Sequence, residues 1–291
     1  MQKIGFIGLG NMGGPMAANL VKAGYKVSGF DMSTAALEEA SRNGVTSGQT
    51  AKEVVRGADI VITMLPSGEH TLAVYDDVLG SADKGAIFVD CSTIDVASAK
   101  KAHELAGNAG MGSIDAPVSG GVGGAVAGTL TFMVGGHAEA FQKVQPLFEV
   151  MGAKAVHCGD AGAGQAAKIC NNMLLAISMI GTCEAFSLAD SLGLDKQALF
   201  DVMSTSSGQC WSVNTYCPVP GVGPQSPADN AYKPGFAASL MLKDLMLGRE
   251  AAEQTGVATP LGEHATKIYQ SFVNDGNAGV DFSGIIKNLK G

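Results

Sequence analysis

The chain of 291 residues is long enough to form two domains, each with its own hydrophobic core. Hydrophobic residues make up 46% and charged residues 16% of the sequence, which excludes a disordered protein. The net charge of -8 argues against a nucleic-acid partner, which would need a basic surface. The six cysteines form no CxxC pair, so we expect free thiols in a reducing, cytoplasmic compartment and no metal site. The first residues enter an apolar segment at once, and we expect no targeting peptide and no membrane anchor.

In the first half of the sequence, short apolar segments alternate with helical ones. Most of the apolar segments lack a polar face, which is typical of parallel strands covered by helices. Because parallel strands need crossover connections, which are usually helical, the pattern predicts a doubly wound α/β domain. The predicted strands are KIGFIGL (3–9), KVSGFD (26–31), DIVITML (59–65), AIFVDCS (86–92), SIDAPV (113–118), LTFMVGG (130–136) and AKAVHCG (153–159).

Three glycines follow the first predicted strand at the spacing Gly8-x-Gly10-x-x-Gly13, and a helix follows them. The first glycine permits a tight turn, the second lets the backbone approach a pyrophosphate, and the third lets helix and strand pack closely. The pyrophosphate then faces the free N–H groups of the helix N-terminus. The sequence therefore predicts a Rossmann-type dinucleotide site. Its loop comprises Gly8, Leu9, Gly10, Asn11, Met12 and Gly13.

An acidic residue, Asp31, ends the second predicted strand and bears on the choice of cofactor. Its carboxylate can accept hydrogen bonds from a free ribose but would repel the 2′-phosphate of NADP. The next residues, Met32 and Ser33, supply no arginine for that phosphate. The sequence predicts NAD, and a purely structural capping role for Asp31 is the alternative.

Three further loops follow predicted strands and are expected to line the same crevice, since ligands bind at the carboxyl ends of the strands. Leu65 and Pro66 in one loop and Thr93 in another are predicted cofactor contacts, and the Thr93 hydroxyl is expected at the depth of the nicotinamide. Simple turns are the alternative for both loops. In the third loop, Ser119, Gly120 and Gly121 can turn successive backbone N–H groups toward an anion. A flexible glycine loop is the alternative there.

After residue 161 the strand pattern stops, and a long apolar helix is predicted from about Gly164. Between Gln165 and Leu192 its charged residues are Lys168, Glu184 and Asp190, so we expect it to be buried nearly all round. It is long enough to span a membrane, but its polar residues favour a soluble core helix.

No convincing strand follows this helix, while two later segments have helical spacing. Between these segments lies a stretch too rich in proline and glycine for regular structure, and loops of that length are often functional. The sequence therefore predicts a dinucleotide-binding domain at 1–161 and an all-α substrate and oligomerisation domain at 162–291, joined by the long helix. The helical segments are 194–203 and 240–256, and the loop is 206–236.

Lys168 and Asn172 lie four residues apart in the long helix and project from one face of it. Burial disfavours a charged ammonium, so a buried lysine gives up its proton more readily than a lysine in water. Such a lysine can take a hydroxyl proton as hydride leaves, and return it in the reverse direction. An amine beside an amide suits a small substrate that carries a hydroxyl and a carboxylate. A lysine that reaches out to water is the alternative.

Four segments, taken together and in order, resemble the β-hydroxyacid dehydrogenase family over essentially the whole chain. The resemblance implies oxidation or reduction of small β-hydroxy acids with NAD or NADP. The segments are GFIGLGNMGGPMAANL (5–20), DAPVSGG (115–121), GAGQAAKICNN (162–172) and LMLKDL (240–245). The residues that the resemblance assigns are Lys168 for catalysis, Ser119, Gly120, Gly121, Asn172 and Trp211 for the substrate, and Phe236 and Lys243 near the cofactor.

The loop segment CWSVNTYCPVPGV (210–222) resembles that of family members that act on 3-hydroxyisobutyrate, an intermediate of valine breakdown, and this resemblance implies that substrate. L-serine or another small β-hydroxy acid remains the alternative substrate. A dinucleotide-binding protein without catalysis is a further alternative, disfavoured because Lys168 and Asn172 are both present. A long apolar helix and a proline-rich loop leave more apolar surface than a small domain hides, so we expect a homodimer or homotetramer.

Overall fold

The computed structural model describes residues 2–289, and the chain divides into two compact units, Met1–Lys168 and Ile169–Gly291. The predicted boundary between residues 161 and 162 falls shortly before this division. The reason is that the start of the long helix is hydrogen-bonded within the first unit, through Gln165 and Lys168. The roles predicted for the two domains stay predictions.

The first unit contains a nine-stranded sheet whose order is β3-β2-β1-β4-β5-β6-β8-β7, with β9 paired to β8. From β3 to β6 all neighbours are parallel, which confirms the predicted doubly wound arrangement. The strands are β1 (Lys3–Ile7), β2 (Lys26–Phe30), β3 (Thr46–Ser47), β4 (Ile60–Thr63), β5 (Ile87–Asp90), β6 (Gly112–Asp115), β7 (Val118–Ser119), β8 (Leu130–Gly136) and β9 (Gly152–Gly159).

The sheet is not parallel throughout, because β8 runs antiparallel to both β6 and β7. The predicted strand 113–118 is in fact two strands, since β6 ends at Asp115 and β7 begins at Val118. Pro117 lies between them, where its missing N–H group costs no ladder hydrogen bond. β3 was not predicted and β7 was not predicted as a separate strand, because two residues are too few to show a periodicity.

Helices connect these strands and form most of the second unit. Several of them begin at a residue whose side chain accepts a backbone N–H group of the first turn, as at Ser33, Thr50, Ser67 and Asp95. The helices are α1 (Gly13–Lys22), α2 (Thr34–Arg42), α3 (Ala51–Val55), α4 (Gly68–Val78), α5 (Val96–Asn108), α6 (Gly121–Ala127), α7 (Ala138–Met151), α8 (Ala163–Ser191), α9 (Lys196–Thr205), α10 (Trp211–Asn214), α11 (Ala238–Thr255) and α12 (Pro260–Phe272).

The sequence predicted that the long helix α8 is buried nearly all round, and this prediction was wrong. One of its faces packs into the core of the second unit through Ala176, Met179, Cys183 and Phe186. The other face leaves two leucines largely exposed in the single chain, Leu174 at 65% and Leu188 at 62%, and Leu192, directly after the helix, is 75% exposed. Few charges interrupt either face, so the sequence did not distinguish the buried face from the exposed one.

α8 is also the one helix, among the residues that the structure describes, that is long and apolar enough to cross a membrane by composition. The share of its most apolar window that is buried inside the protein is 44%. Core helices of soluble proteins meet the same criteria, and the contacts of α8 with its own unit are those of a core helix.

In the second unit, the stretch 206–236 is mostly irregular, as predicted, but it contains α10 and a short 3-10 helix at Pro227–Asn230. The helix α12, which the sequence analysis did not identify, begins with Pro260 at its first position, where a proline is favourable. α8, α11 and α12 surround a core that includes Tyr269 and Phe282. No strand occurs among the described residues of this unit, apart from an isolated bridge.

Candidate functional site

Gly8 and Gly13, two of the three glycines between β1 and α1, allow close backbone contacts that a side chain would prevent. Gly8 has a φ of +93°, and a Cβ atom on it would collide with the carbonyl oxygen of Met64. A Cβ atom on Gly13 would collide with the carbonyl oxygen of Gly8. The turn is therefore tight at Gly8, and α1 packs close to β1 at Gly13.

The third glycine, Gly10, has a different surrounding, because a Cβ atom built on it meets no protein atom within 4 Å. Met12 caps α1 without a side-chain hydrogen bond, and the first turn of the helix contains no acidic residue. Open space at Gly10 beside a helix N-terminus without a side-chain cap fits a diphosphate, which the helix dipole attracts. The turn thus fits the pyrophosphate of a dinucleotide, while the individual contacts predicted for Leu9 and Asn11 stay predictions.

Asp31 ties the end of β2 to the glycine turn. One oxygen of its carboxylate accepts the Leu9 N–H group at 2.7 Å, and the other accepts the Ser33 N–H group at 2.8 Å. The residue is half-buried, and a carboxylate retains lone pairs beyond these two bonds for a ribose hydroxyl. The neighbouring Met32 is 94% exposed. The geometry allows both the structural role and the predicted cofactor role.

The two predicted cofactor loops after β4 and β5 are joined by Ser92. Its hydroxyl accepts the Leu65 N–H group at 2.8 Å and donates to the buried carboxylate of Asp90 at 2.5 Å. Thr63 donates to the same carboxylate at 2.7 Å. Burial raises the pKa of Asp90, and the hydrogen bonds from Ser92 and Thr63 oppose that shift. Leu65 and Thr93 therefore lie on loops held by one buried network.

Lys168 is only 6% exposed, and its ammonium group donates to the backbone carbonyl oxygen of Val118 at 2.8 Å. Val118 directly precedes the predicted anion-binding residues, so the lysine lies beside them. Gly120 and Gly121 both have positive φ values, +132° and +61°. They do not form a loop without structure, because β7 ends just before them and α6 begins at Gly121.

The start of α8 is anchored by Asp115, the buried last residue of β6. Its carboxylate accepts the Gly162 N–H group at 2.8 Å and the Gln165 N–H group at 3.0 Å. His103 lies within 2.9 Å of the same carboxylate. Asp115 thus satisfies backbone N–H groups at the beginning of the helix that carries Lys168.

In the second unit, Asn172 is buried and held from both ends of its amide. Its nitrogen donates to the carboxylate of Asp244 at 2.6 Å, and its oxygen accepts from the Asn171 side chain at 2.9 Å. Lys243, the predicted cofactor contact beside Asp244, is half-buried on α11. Asp244 therefore fixes the orientation of the predicted substrate amide.

The predicted pocket cap, Trp211, stands at one end of a row of aromatic rings in the second unit. It stacks on Tyr216 with ring centroids 4.7 Å apart, and Tyr216 stacks on Phe282 at 5.4 Å. Phe236, a predicted cofactor contact, meets Phe282 edge-on at 5.7 Å. Two residues assigned from separate sequence segments are thus parts of one aromatic row. Their contacts with ligands stay predictions.

Sequence reasoning missed the buried polar residues that hold these site residues in place. The signal for Asp90 and Asp115 was present, because each is a lone acid at the end of an apolar strand. The partners of Gln165 and Asp244 had no such signal, since their hydrogen bonds join segments far apart in the sequence. Among the described residues, no cluster of His, Cys, Asp or Glu is arranged to hold a metal ion.

Two family models together cover nearly the whole chain. Residues 3–159 match the NAD binding domain of 6-phosphogluconate dehydrogenase. Residues 162–289 match a model described as NAD-binding of NADP-dependent 3-hydroxyisobutyrate dehydrogenase. The match of the first model confirms NAD as a cofactor of this fold, and the second model carries NADP in its description.

Similar proteins match over their whole length. The probable 3-hydroxyisobutyrate dehydrogenase of Mycobacterium tuberculosis (strain H37Rv) is 52% identical, and the match covers 100% of this chain and 98% of the relative. The NAD-dependent L-serine dehydrogenase of Pseudomonas aeruginosa is 47% identical, with 99% and 97% covered. A solved structure of the Mycobacterium tuberculosis 3-hydroxyisobutyrate dehydrogenase with L-serine has a TM-score of 0.97 and covers 100% of both chains at 52% identity.

These matches confirm the resemblance drawn from the sequence motifs, and they cover both compact units. They also confirm the Rossmann-type sheet followed by a helical domain. The chain therefore belongs to the 3-hydroxyisobutyrate dehydrogenase family and is an NAD-dependent β-hydroxyacid dehydrogenase, an oxidoreductase.

Proposed function

We propose that this dehydrogenase oxidises 3-hydroxyisobutyrate to methylmalonate semialdehyde in valine breakdown, in the cytoplasm, with Lys168 as the general acid and base. The observation that carries the proposal is the buried ammonium of Lys168, which donates to the Val118 carbonyl oxygen directly beside Ser119. This position puts a proton-transfer group next to the glycine segment that we assign to the substrate carboxylate.

The proposed reaction removes a hydride and a proton from one primary alcohol. NAD, when bound, accepts the hydride from the carbon that carries the hydroxyl group. Lys168, in its neutral form, takes the hydroxyl proton onto Nζ as the C–O bond becomes a carbonyl. In this proposal the backbone N–H groups at Ser119, Gly120 and Gly121 hold the substrate carboxylate. In the reverse reaction the Lys168 ammonium returns the proton.

L-serine is the second candidate substrate, and Asp244 is the observation that favours it. An α-ammonium group needs a carboxylate partner, and a buried carboxylate lies 2.6 Å from the amide of the substrate residue Asn172. The Pseudomonas aeruginosa relative named for L-serine shows that a chain of this family can act on it. The Asp244 carboxylate already accepts a hydrogen bond from Asn172, however. The α-methyl group of 3-hydroxyisobutyrate, unlike the α-ammonium of L-serine, needs no carboxylate partner.

Initial rates with NAD on four acids test the proposal: 3-hydroxyisobutyrate, L-serine, glycerate and 3-hydroxypropionate. We expect 3-hydroxyisobutyrate to give the highest kcat/KM. Loss of one methyl contact costs about 1–3 kcal/mol, so 3-hydroxypropionate should be turned over about 10- to 200-fold less efficiently. L-serine should have a lower kcat/KM than 3-hydroxypropionate, because its α-ammonium group would be desolvated without a partner. If L-serine gives the highest kcat/KM, Asp244 is its partner and the second candidate is correct.

A further inference from the structure

The side chain of Gln165 lies fully buried in the first turn of α8 and is bonded at both ends of its amide. Its oxygen accepts the Ile94 N–H group at 3.1 Å, and its nitrogen donates to the Ser92 carbonyl oxygen at 2.7 Å. These two backbone groups flank Thr93, the residue predicted to reach the nicotinamide. The Gln165 side chain therefore binds the backbone of the cofactor loop on both sides of Thr93.

The loop at 92–94, to which Gln165 is hydrogen-bonded, is also fixed by other hydrogen bonds. The Ser92 hydroxyl donates to the buried carboxylate of Asp90 and accepts the N–H group of Leu65 in the neighbouring cofactor loop. Cys91 and Ile94, on either side of this point, are also buried. The hydrogen bonds thus run without a break from the loop after β4, through Ser92, to the first turn of α8.

Gln165 also lies one helical turn before Lys168, and residues three apart are neighbours on a helix surface. The Lys168 ammonium is bonded at 2.8 Å to the Val118 carbonyl oxygen, so Lys168 attaches the helix to strand β7 and Gln165 attaches it to the loop at 92–94. All of these residues belong to the first compact unit. The two hydrogen bonds of Gln165 therefore fix the distance between the backbone at 92–94 and Lys168, because Gln165 and Lys168 belong to the same helix.

We infer that Gln165 is a positioning residue that sets the distance between the nicotinamide-side loop at Thr93 and the proton-transfer group of Lys168. This inference rests on the proposed function. It assigns Gln165 no proton and no contact with the reacting atoms. Hydride transfer and proton transfer occur at the same substrate carbon–oxygen group, so both partners must be placed within a fraction of an ångström. The two hydrogen bonds of Gln165 couple these two placements.

The test compares Gln165→Met, which keeps the length of the side chain but makes neither hydrogen bond, with Gln165→Glu. The glutamate keeps an acceptor for the Ile94 N–H group but places a carboxylate oxygen against the Ser92 carbonyl. Thr182→Val is the matched control: Thr182 is also buried on α8, and its hydroxyl donates to the Ser178 carbonyl oxygen of the same helix and lies 3.7 Å from the Cys210 sulfur, away from residues 92–94.

Two readouts separate positioning from general stability. For Gln165→Met we expect kcat to fall at least ~10-fold while KM for NAD changes less than ~3-fold, because misplacement by about 1 Å can cost ~100-fold in rate. The primary deuterium isotope effect on kcat, measured with substrate deuterated at the carbon bearing the hydroxyl, should rise as hydride transfer becomes rate-limiting. Without cofactor, amide hydrogen exchange in a peptide spanning residues 91–96 should become faster, since the Ile94 N–H group loses its acceptor.

Gln165→Glu should show the same changes, because its carboxylate oxygen repels the Ser92 carbonyl oxygen, and Thr182→Val should show none of them. The inference is overturned if either Gln165 variant keeps kcat within about twofold and an unchanged isotope effect, or if exchange at 91–96 is unaltered. Equal losses of kcat in Thr182→Val would also overturn it, because they would reflect helix stability alone. Lys168→Ala, run in parallel, separates the two proposals: if it loses turnover while Gln165→Met does not, the positioning role alone fails, and if it retains turnover, both fail.

Discussion

At the scale of single residues, Asp31 has an observed role in the fold and a predicted role in the choice of cofactor. Its carboxylate holds the Leu9 N–H group of the glycine turn, and the same negative charge would repel a 2′-phosphate. The adjacent Met32 is almost fully exposed, so a longer cationic side chain there meets no protein atoms that exclude it. We therefore expect that substitutions at Asp31 and Met32 can change the preference between NAD and NADP in a chain that still folds.

We predict that the double variant Asp31→Ser with Met32→Arg shifts the ratio of kcat/KM for NADP over NAD upward by at least ~10-fold, or about 1.4 kcal/mol. A repulsive charge is removed and an attractive one is introduced. Asp31→Asn is the control, because it keeps an acceptor for the Leu9 N–H group and removes the charge, together with the acceptor for the Ser33 N–H group. It should weaken discrimination less than the double variant does. An unchanged ratio in the double variant would show that Asp31 does not face the ribose.

At the scale of structural elements, the carboxylate of Asp281 ties the irregular stretch 206–236 to the segment near the C-terminus. Asp281 is fully buried, and one of its oxygens accepts the N–H groups of Gly235 and Phe236 and the hydroxyl of Tyr216. Its other oxygen accepts the N–H group and hydroxyl of Ser283. Burial and the adjacent Asp281 carboxylate raise the pKa of Tyr216, so its hydroxyl remains a donor. The stretch that carries Trp211 is therefore ordered by polar bonds more than by regular structure.

Asp281→Ala should lower the free energy of unfolding of the second unit by about 2–4 kcal/mol, because it leaves several buried N–H groups without an acceptor. Tyr216→Phe removes only one hydroxyl and should cost about 0.5–1.5 kcal/mol. Urea unfolding followed by the fluorescence of Trp211, the single tryptophan, measures both. Equal midpoints for Asp281→Ala and the wild-type chain would contradict the assigned role of Asp281.

The elements that the sequence predicted well are those whose burial leaves a long uniform pattern. β1, β4 and β5 are apolar on both faces because helices cover both sides of the sheet, and their apolar segments were visible in the sequence. The antiparallel β8 was predicted as a strand, but its direction depends on pairing partners that no local pattern records. The loop contacts of Gln165 and Asp281 were invisible for the same reason, since their partners lie more than 40 residues away.

At the scale of the whole molecule, the apolar surface of the second unit bears on assembly. Leu174 and Leu188 of α8 and Leu261 of α12 are each more than half exposed in the single chain. Exposed leucines on two helices of one unit are candidates for an apolar interface. We propose that they are covered by a second copy of the same unit, in a homodimer or a homotetramer.

Light scattering at micromolar concentration should therefore give the mass of a dimer or tetramer. Leu188→Glu should shift the protein toward smaller species, because it places a charge where we expect an apolar contact. Val126→Glu, at an exposed valine of the first unit, is the control and should leave the mass unchanged. A monomeric wild-type chain under these conditions would contradict the proposal.

The proton-transfer role of Lys168 is the central claim, and kcat of Lys168→Ala, with Lys168→Arg beside it, tests it most directly. Both variants should fold and bind NADH, since the glycine turn and Asp31 lie apart from Lys168 in the sequence and keep their own hydrogen bonds. General acid–base catalysis contributes ~10²–10⁴-fold, so we expect kcat to fall by that factor in Lys168→Ala. Arginine should not restore it, because its proton is not lost at working pH. Turnover within about twofold of the wild-type rate, in a variant that binds NADH normally, would contradict the account.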